Sequence, residues 1–196
     1  MTIDRDIAQA IKNIDGVSKR AVPRANAQAL NRVAARVVSR STKAVSSEVK
    51  LPQKNIRKRA EVHRARFNRQ YVRIRVRLSP IPLISLPEAR KKVMQNRTRY
   101  KAALPGRKRG GRFSSMTVAR HHKFERVFLQ RTRRGKWHIL MREGDSPYPI
   151  NVAQIRLREP LKKSYKAVSV ELMRSDFPKE LKAALRNQIR IMIVRS

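Results

Sequence analysis

The stretch 127-VFLQRTRRGKWHILM-141 predicts a β-hairpin on which the rest of the fold depends. Val127–Leu129 and Trp137–Met141 are apolar runs of strand length, and Arg133–Lys136 lies between them. Gly135 can adopt the positive φ that a tight connection often requires. Trp137 is the only tryptophan, and we interpret it as a core anchor rather than a contact residue. We therefore expect helices before and after the hairpin to pack on its sheet.

Three helices are predicted before the hairpin. Isoleucines at helical spacing predict a short amphipathic helix that ends at Gly16. Pro23 suits the first turn of a longer helix, whose small apolar side chains favour a core element over an oligomer interface. A short basic helix is predicted from Pro52 to Arg59. The apolar positions are Ile3, Ile7, Ile11 and Ile14 in the first helix, and Leu30, Val33, Ala34, Val37, Val38, Ala44 and Val45 in the second.

The sequence after the hairpin predicts a turn, a strand and two helices. Gly144–Pro149 is rich in turn residues, and Ile150–Leu157 follows as a strand. A helix begins near Pro160, and Asp176 or Ser175 is placed to cap a last helix. The order of helices, strands and helices favours an α+β fold, with a small antiparallel sheet on which N-terminal helices and two C-terminal helices pack. The apolar positions of the last two helices are Leu161, Tyr165, Val168 and Leu172, then Leu181, Leu185, Ile189 and Met192.

The segment Tyr71–Leu78 alternates between apolar and basic side chains, which is typical of a strand with two different faces. One face carries Arg73, Arg75 and Arg77, with no acidic residue among them. Side chains on one face of a strand lie about 6.6 Å apart, close to the phosphate spacing along one DNA strand. We interpret this face as a candidate nucleic-acid surface, and a merely solvated face is the alternative.

A long basic loop is predicted between this strand and the hairpin. Three prolines around Leu83–Leu86 favour an edge strand or an extended arm there. From Ala89 to Phe124 the sequence has no acidic residue. Because such a composition builds a core poorly, we expect a mobile loop at 95–115 within one domain that covers residues 1–196. The loop either becomes ordered on a polyanion or is a flexible insertion. Its candidate nucleic-acid contacts are Arg97, Arg99, Lys101, Arg107, Lys108, Arg109 and Arg112.

The charge balance of the chain is extreme and limits its partners. The 196 residues include 49 Lys+Arg and only 13 Asp+Glu, a formal net charge of +36, and 40% are hydrophobic. This charge opposes a compact monomer by self-repulsion unless anionic partners offset it, so nucleic acid ranks first, an acidic protein surface second and an anionic membrane third. The absence of cysteine excludes disulfides and thiolate metal sites. No apolar run approaches the ~20 residues of a membrane span, and the N-terminus lacks a signal-peptide core, so we expect a soluble protein.

Catalytic and metal-binding patterns are not found in the sequence. The four histidines have no further ligand at a metal-site spacing; they are His63, His121, His122 and His138. Glu143 and Asp145 flank Gly144, an arrangement more typical of a turn than of a catalytic pair. No P-loop, dinucleotide fingerprint or nucleophile elbow is present. We therefore expect neither an enzyme nor a cofactor.

Several short motifs occur along nearly the whole chain. They are Ala21–Pro23, Ala29–Ala34, Ile81–Ile84, Phe128–Gln130, Gly135–His138, Tyr148–Ile150, Pro178–Leu181 and Ile189–Arg190. In this order they resemble the minor tail protein Z family of lambda-like tailed phages. Each motif alone is weak, and their collinearity carries the resemblance. The basic loop is where we expect the family to diverge most.

The resemblance implies a structural tail completion protein at the head-proximal end of the tail, in the neck of the virion. Members are associated with infectious tails and with positioning the leading end of the genome. Implied partners are the tail terminator, tail tube and head-closure proteins, the genomic DNA end and further copies in a ring, with assembly in the host cytoplasm. Two alternatives remain: a generic sequence-nonspecific nucleic-acid-binding protein, and a neck ring protein whose basic surface binds acidic proteins only.

Overall fold

The computed structural model describes residues 15–91, 95, 114–118, 121–131, 133, 135–144, 146 and 148–194. The chain divides into two compact units. The first takes its described residues from Met1–Glu48, Pro52–Arg77 and Pro160–Ser196, and the second from Val49–Leu51 and Leu78–Glu159. The predicted isoleucine helix and the basic loop lie almost wholly outside the described residues. A single domain with a mobile loop therefore stays a prediction.

A long helix dominates the beginning of the first unit. Helix α1 spans Val22–Val49, with Pro23 in its first turn as predicted, and a π-helical turn, Val17–Ala21, leads into it. The prediction that Gly16 ends a helix is wrong, because Gly16 is itself helical. A Cβ there would lie 3.0 Å from Cε of Met192, so close packing explains this glycine better than a helix stop does.

The apolar stripe of α1 is buried, which confirms its prediction as a core element. Val33, Val37 and Val45 are at most 3% exposed. Each such side chain contributes about 1.5–3 kcal/mol of hydrophobic stabilisation when fully buried. Ala44 departs from the prediction and is exposed. Use of this helix as an oligomer interface stays untested.

A short helix and a hairpin complete the middle of the first unit. Helix α2, Gln53–Arg57, follows Pro52 as predicted. Strand β1, Ala60–His63, pairs antiparallel with β2, Arg73–Val76, and forms a two-stranded sheet. Strand β2 confirms the centre of the strand predicted over Tyr71–Leu78 and is two residues shorter at each end. Exposed and half-buried residues alternate from position 71 to 78, as predicted.

Two C-terminal helices close the first unit. Helix α3 is Arg158–Ser175 and α4 is Phe177–Val194. Asp176 lies between them, where a cap was predicted, although its carboxylate accepts hydrogen bonds from Ser175 and Arg36. In α3 the predicted apolar positions Leu161, Tyr165 and Leu172 are buried. In α4 the predicted stripe is only half-buried, and the positions with the lowest exposure are Ala184 and Gln188.

The hairpin of 127–141 forms the centre of a four-stranded antiparallel sheet in the second unit. Its strands occur in the order β4–β5–β6–β7, with bounds Ser114–Val118, His122–Arg131, Trp137–Arg142 and Ile150–Val152. Leu129 lies opposite Ile139, and Gly135 has a φ of +76°, which confirms the predicted connection. Trp137 is only half-buried and lines a cavity of about 270 Å³ with Leu129 and Ile84, so it is less enclosed than expected.

Two segments of the second unit differ from their predictions. The segment Leu83–Leu86, predicted as an edge strand or an extended arm, is mostly a 3₁₀ turn, Leu83–Ser85. This turn follows the two-residue strand β3, Ile81–Pro82. The predicted strand Ile150–Leu157 is split into β7 and β8, Gln154–Ile155, and β8 pairs with β3. Ala153 lies at the split; its N–H donates to the Ile139 carbonyl and its own carbonyl accepts from Leu83 N–H, both at 2.9 Å. The strand breaks because these two hydrogen bonds belong to different sheets.

Helices at both ends and small antiparallel sheets confirm the α+β fold class. Among the described helices, none is long and apolar enough to cross a membrane.

Candidate nucleic-acid interface

The outward face of the β1–β2 sheet carries the predicted arginines. Arg73, Arg75 and Arg77 are exposed, and the alternating residues of the strand are half-buried. Within the part of the chain that the structure describes, no carboxylate forms an ion pair with any of the three. Their guanidinium groups are therefore available to an external anion.

Strand β1 adds mixed charges to the same face. Glu61 lies opposite Arg75, and His63 lies opposite Arg73 at 3.7 Å from the Glu61 carboxylate. Arg59 extends the row, since its carbonyl accepts a 2.9 Å hydrogen bond from the Arg77 N–H. Burial, and secondarily the positive charge of Arg77, lowers the pKa of Arg59. The face has one described carboxylate, that of Glu61, and four arginines, so its net charge is positive.

The connection between β1 and β2 adds basic and aromatic residues that the sequence analysis did not single out. Arg64 and Arg66 are exposed, and Phe67 and Tyr71 are 47% and 53% exposed. The signal was visible in the sequence, because basic and aromatic residues interleave there, a pattern typical of single-stranded nucleic-acid binding.

Hydrogen bonds hold this connection in one conformation. Arg66 and Arg69 exchange backbone hydrogen bonds of 2.9 and 3.0 Å. The Asn31 amide of α1 clamps the backbone of Ala65, accepting from its N–H at 2.9 Å and donating to its carbonyl at 3.0 Å. Arg69 has a structural role, since it donates to the Arg64 carbonyl at 2.8 Å. The connection is therefore anchored to α1 before any ligand binds.

The predicted loop contacts are not placed by the structure. Arg97, Arg99, Lys101, Arg107, Lys108, Arg109 and Arg112 all lie outside the described residues. Of the predicted site residues, the structure brings together only the three strand arginines.

Two of the residues considered for chemistry, His122 and Glu143, make hydrogen-bond contacts within the second unit. A ring nitrogen of His122 lies 2.7 Å from the Val49 carbonyl oxygen, within hydrogen-bonding distance. The Glu143 carboxylate accepts a 2.8 Å hydrogen bond from Asn151, and Asp145 lies outside the described residues. No group of three potential metal ligands occurs in the described part of the chain.

Three other arginines, one per turn on α1, pair with the corner between α3 and α4. Arg36 bonds both Asp176 and Glu180; the other pairs are Arg32–Glu180 and Arg40–Glu171. Hydrogen bonds from Ser175 and then Arg36 lower the pKa of Asp176, and those from Arg32 and Arg36 lower the pKa of Glu180. We call this set the arginine ladder. The arginine ladder joins α1 to the corner between α3 and α4, and none of the strand arginines takes part in it.

Comparison with known proteins identifies the family. The profile of Prophage minor tail protein Z (GPZ) matches residues 5–195. The tail completion protein of Escherichia phage N15 is 40% identical over 191 residues, 97% of this chain and 98% of its own. Tail completion protein Z of Escherichia phage lambda is 35% identical over 192 residues, with the same coverage. No solved structure matches the chain significantly. The chain therefore belongs to the minor tail protein Z family of phage tail completion proteins, and the predicted resemblance is confirmed.

Proposed function

We propose that the protein completes the phage tail at its head-proximal end, in the neck of the virion, and there positions the leading end of the genome. Family membership supports the structural tail role. The observation that supports the DNA role is the row of exposed strand arginines, none of which forms an ion pair with a described carboxylate. The tail terminator, tail tube and head-closure proteins are its proposed neighbours, and further copies form a ring.

The strand arginines suit phosphate contacts that do not read sequence. Four residues of strand separate Arg73 from Arg77, or about 13 Å at 3.3 Å per residue. Over that length duplex DNA presents about eight phosphate charges, so each arginine has a phosphate within reach. Contacts of this kind position DNA and carry no sequence information directly.

A neck protein that binds only acidic proteins is the second candidate. The arginine ladder supports it, because arginines of this chain do pair with carboxylates of two other helices. Bidentate geometry suits carboxylate and phosphate alike. Crosslinking to DNA in assembled particles separates the two candidates.

Mass spectrometry of purified particles and of headless tails tests the structural role. The samples are treated with nuclease and washed at high salt, which removes phosphate-bound contaminants because salt weakens such binding steeply. We expect the protein to persist at a low, fixed ratio to the tail-tube subunit. Loss in the wash would overturn the assignment to the neck and favour a generic nucleic-acid-binding protein. If the protein persists, photocrosslinking from the β1–β2 face then reports whether DNA or an acidic protein lies against it.

A further inference from the structure

The first unit contains a cleft beside the tip of the β1–β2 hairpin. It has a volume of about 850 Å³ and is formed by the hairpin tip, the start of α1 with its preceding π-turn, and the end of α4. This is within the size range of small-molecule sites. The proposed phosphate contacts of the strand arginines do not use this cleft.

Two arginines supply positive charge at the cleft. Arg20 and Arg24 are four residues apart on one helical path, so they project from the same side. Both are exposed, and neither forms an ion pair with another described residue. Guanidinium groups bind phosphates in a bidentate, charge-assisted manner. This end of the cleft therefore suits a phosphate.

An aromatic side chain and an apolar wall form a second part of the cleft. Phe67 is 47% exposed at the hairpin tip, and Ile191 and Met192 of α4 also line the cleft. The hydrogen bonds between Arg66 and Arg69 fix the turn that presents Phe67. The exposed face of Phe67 beside the open cleft can stack against a planar ring. Stacking of a base on an aromatic side chain is worth about 1–3 kcal/mol per base.

Two amide side chains give the cleft its hydrogen-bonding capacity. Asn68 is exposed, and Gln188 is only 7% exposed although it lines the cleft. A side-chain amide offers both donors and an acceptor, so it can pair with the edge of any base.

We propose that this cleft binds one unpaired nucleotide of single-stranded DNA. The phosphate contacts Arg20 and Arg24, the base stacks on Phe67, and the amides of Asn68 and Gln188 pair with the base edge. The proposal extends the proposed DNA-positioning function, since it adds that the protein distinguishes an unpaired end from a paired one. An acidic peptide is the other class of occupant, and the test separates it.

Fluorescence anisotropy with three labelled DNA probes tests the proposal on the full chain. The probes are a blunt duplex, the same duplex with a short thymidine overhang, and the same duplex with an abasic overhang of equal length and charge. We expect the wild type to prefer the thymidine overhang to the abasic one. Phe67→Leu should reduce that preference by about 5- to 150-fold, the factor that one base–aromatic stack represents. Tyr148→Leu removes an aromatic that is 74% exposed outside the cleft, and it should leave the preference unchanged.

A second variant tests the phosphate end of the cleft. Arg20→Gln with Arg24→Gln keeps Phe67 and should weaken binding of both overhang probes, because both carry the phosphates. Equal affinity of the wild type for thymidine and abasic overhangs overturns the cleft proposal but leaves blunt-duplex binding, and so the proposed function, intact. Failure to bind any probe overturns both DNA roles. In that case, binding of a poly-glutamate probe that Phe67→Leu weakens would assign the cleft to an acidic peptide.

Discussion

Neutralising the strand arginines should reduce the salt dependence of DNA binding by a calculable amount. The change is Arg73→Gln, Arg75→Gln and Arg77→Gln together. The face has one described carboxylate, Glu61 opposite Arg75, and it forms no ion pair with any of the three arginines. Each phosphate contact contributes about 0.9 to the slope of log K against log salt, so losing three lowers the slope by about 2.7. Between about 50 and 200 mM salt, the variant should therefore lose about 40-fold less affinity than the wild type.

Anisotropy titrations of a blunt duplex at several salt concentrations measure this slope. A matched control removes the same charge elsewhere, by replacing the exposed lysines of α3 with glutamine: Lys162, Lys163 and Lys166. The control should lower the slope much less than the strand variant does, because those lysines lie outside the proposed contact face. Equal slopes for the two variants would refute the reasoning, since net charge alone would then explain binding. An unchanged slope in the strand variant would remove the face from the DNA site.

Three further predictions concern stability. Asn31→Ala leaves the Ala65 backbone without its amide partner, so we expect a loss of about 1–3 kcal/mol in the free energy of unfolding by urea. Leu172→Ala creates a cavity at a side chain that is 0% exposed and should cost about 2–5 kcal/mol in the same assay. Because Asp176 and Glu180 have lowered pKa values in the folded state, they stabilise the protein at neutral pH and lose that contribution as the pH falls below about 4, which thermal unfolding against pH will show.

Each of these predictions has a comparison that could contradict it. Asn26→Ala removes a single exposed hydrogen bond to Gln70 and should cost less than Asn31→Ala. Val170→Ala truncates an α3 side chain that is 47% exposed and should cost less than Leu172→Ala. Asp176→Asn with Glu180→Gln should flatten the acid limb of the stability profile. If that double variant keeps the wild-type profile, other carboxylates cause the acid loss.

Periodic patterns made much of the fold predictable. The alternation of Tyr71–Leu78 and the runs at Val127–Leu129 and Trp137–Met141 gave the strands, since side chains of a strand alternate between faces. Local patterns do not show which segments of the chain pair with one another. Leu83–Ser85 is an apolar run that fits a strand as well as the 3₁₀ turn it forms, and the break at Ala153 follows from pairing with two separate sheets.

The candidate site was likewise predictable from the sequence only in part. The strand arginines were predictable because exposure follows from alternation along the chain. Phe67 was visible as an aromatic among basic residues, but the cleft beside it also needs Gln188 and Met192, more than a hundred positions later. Gly16 was interpreted as a helix stop for the same reason, because its close neighbour Met192 is distant in sequence.

Ala153 has a mechanical consequence for the second unit. Its N–H is bonded to the strand that contains Ile139 and its carbonyl to the segment that begins at Leu83, and the residue itself is fully buried. The β3–β8 pair and the four-stranded sheet are thus joined through the backbone of one residue, whose N–H serves one sheet and whose carbonyl serves the other. Tension applied along Leu83–Ser85 would pass directly into the central hairpin. In a protein built into a phage tail, this part of the chain would bear load as one piece.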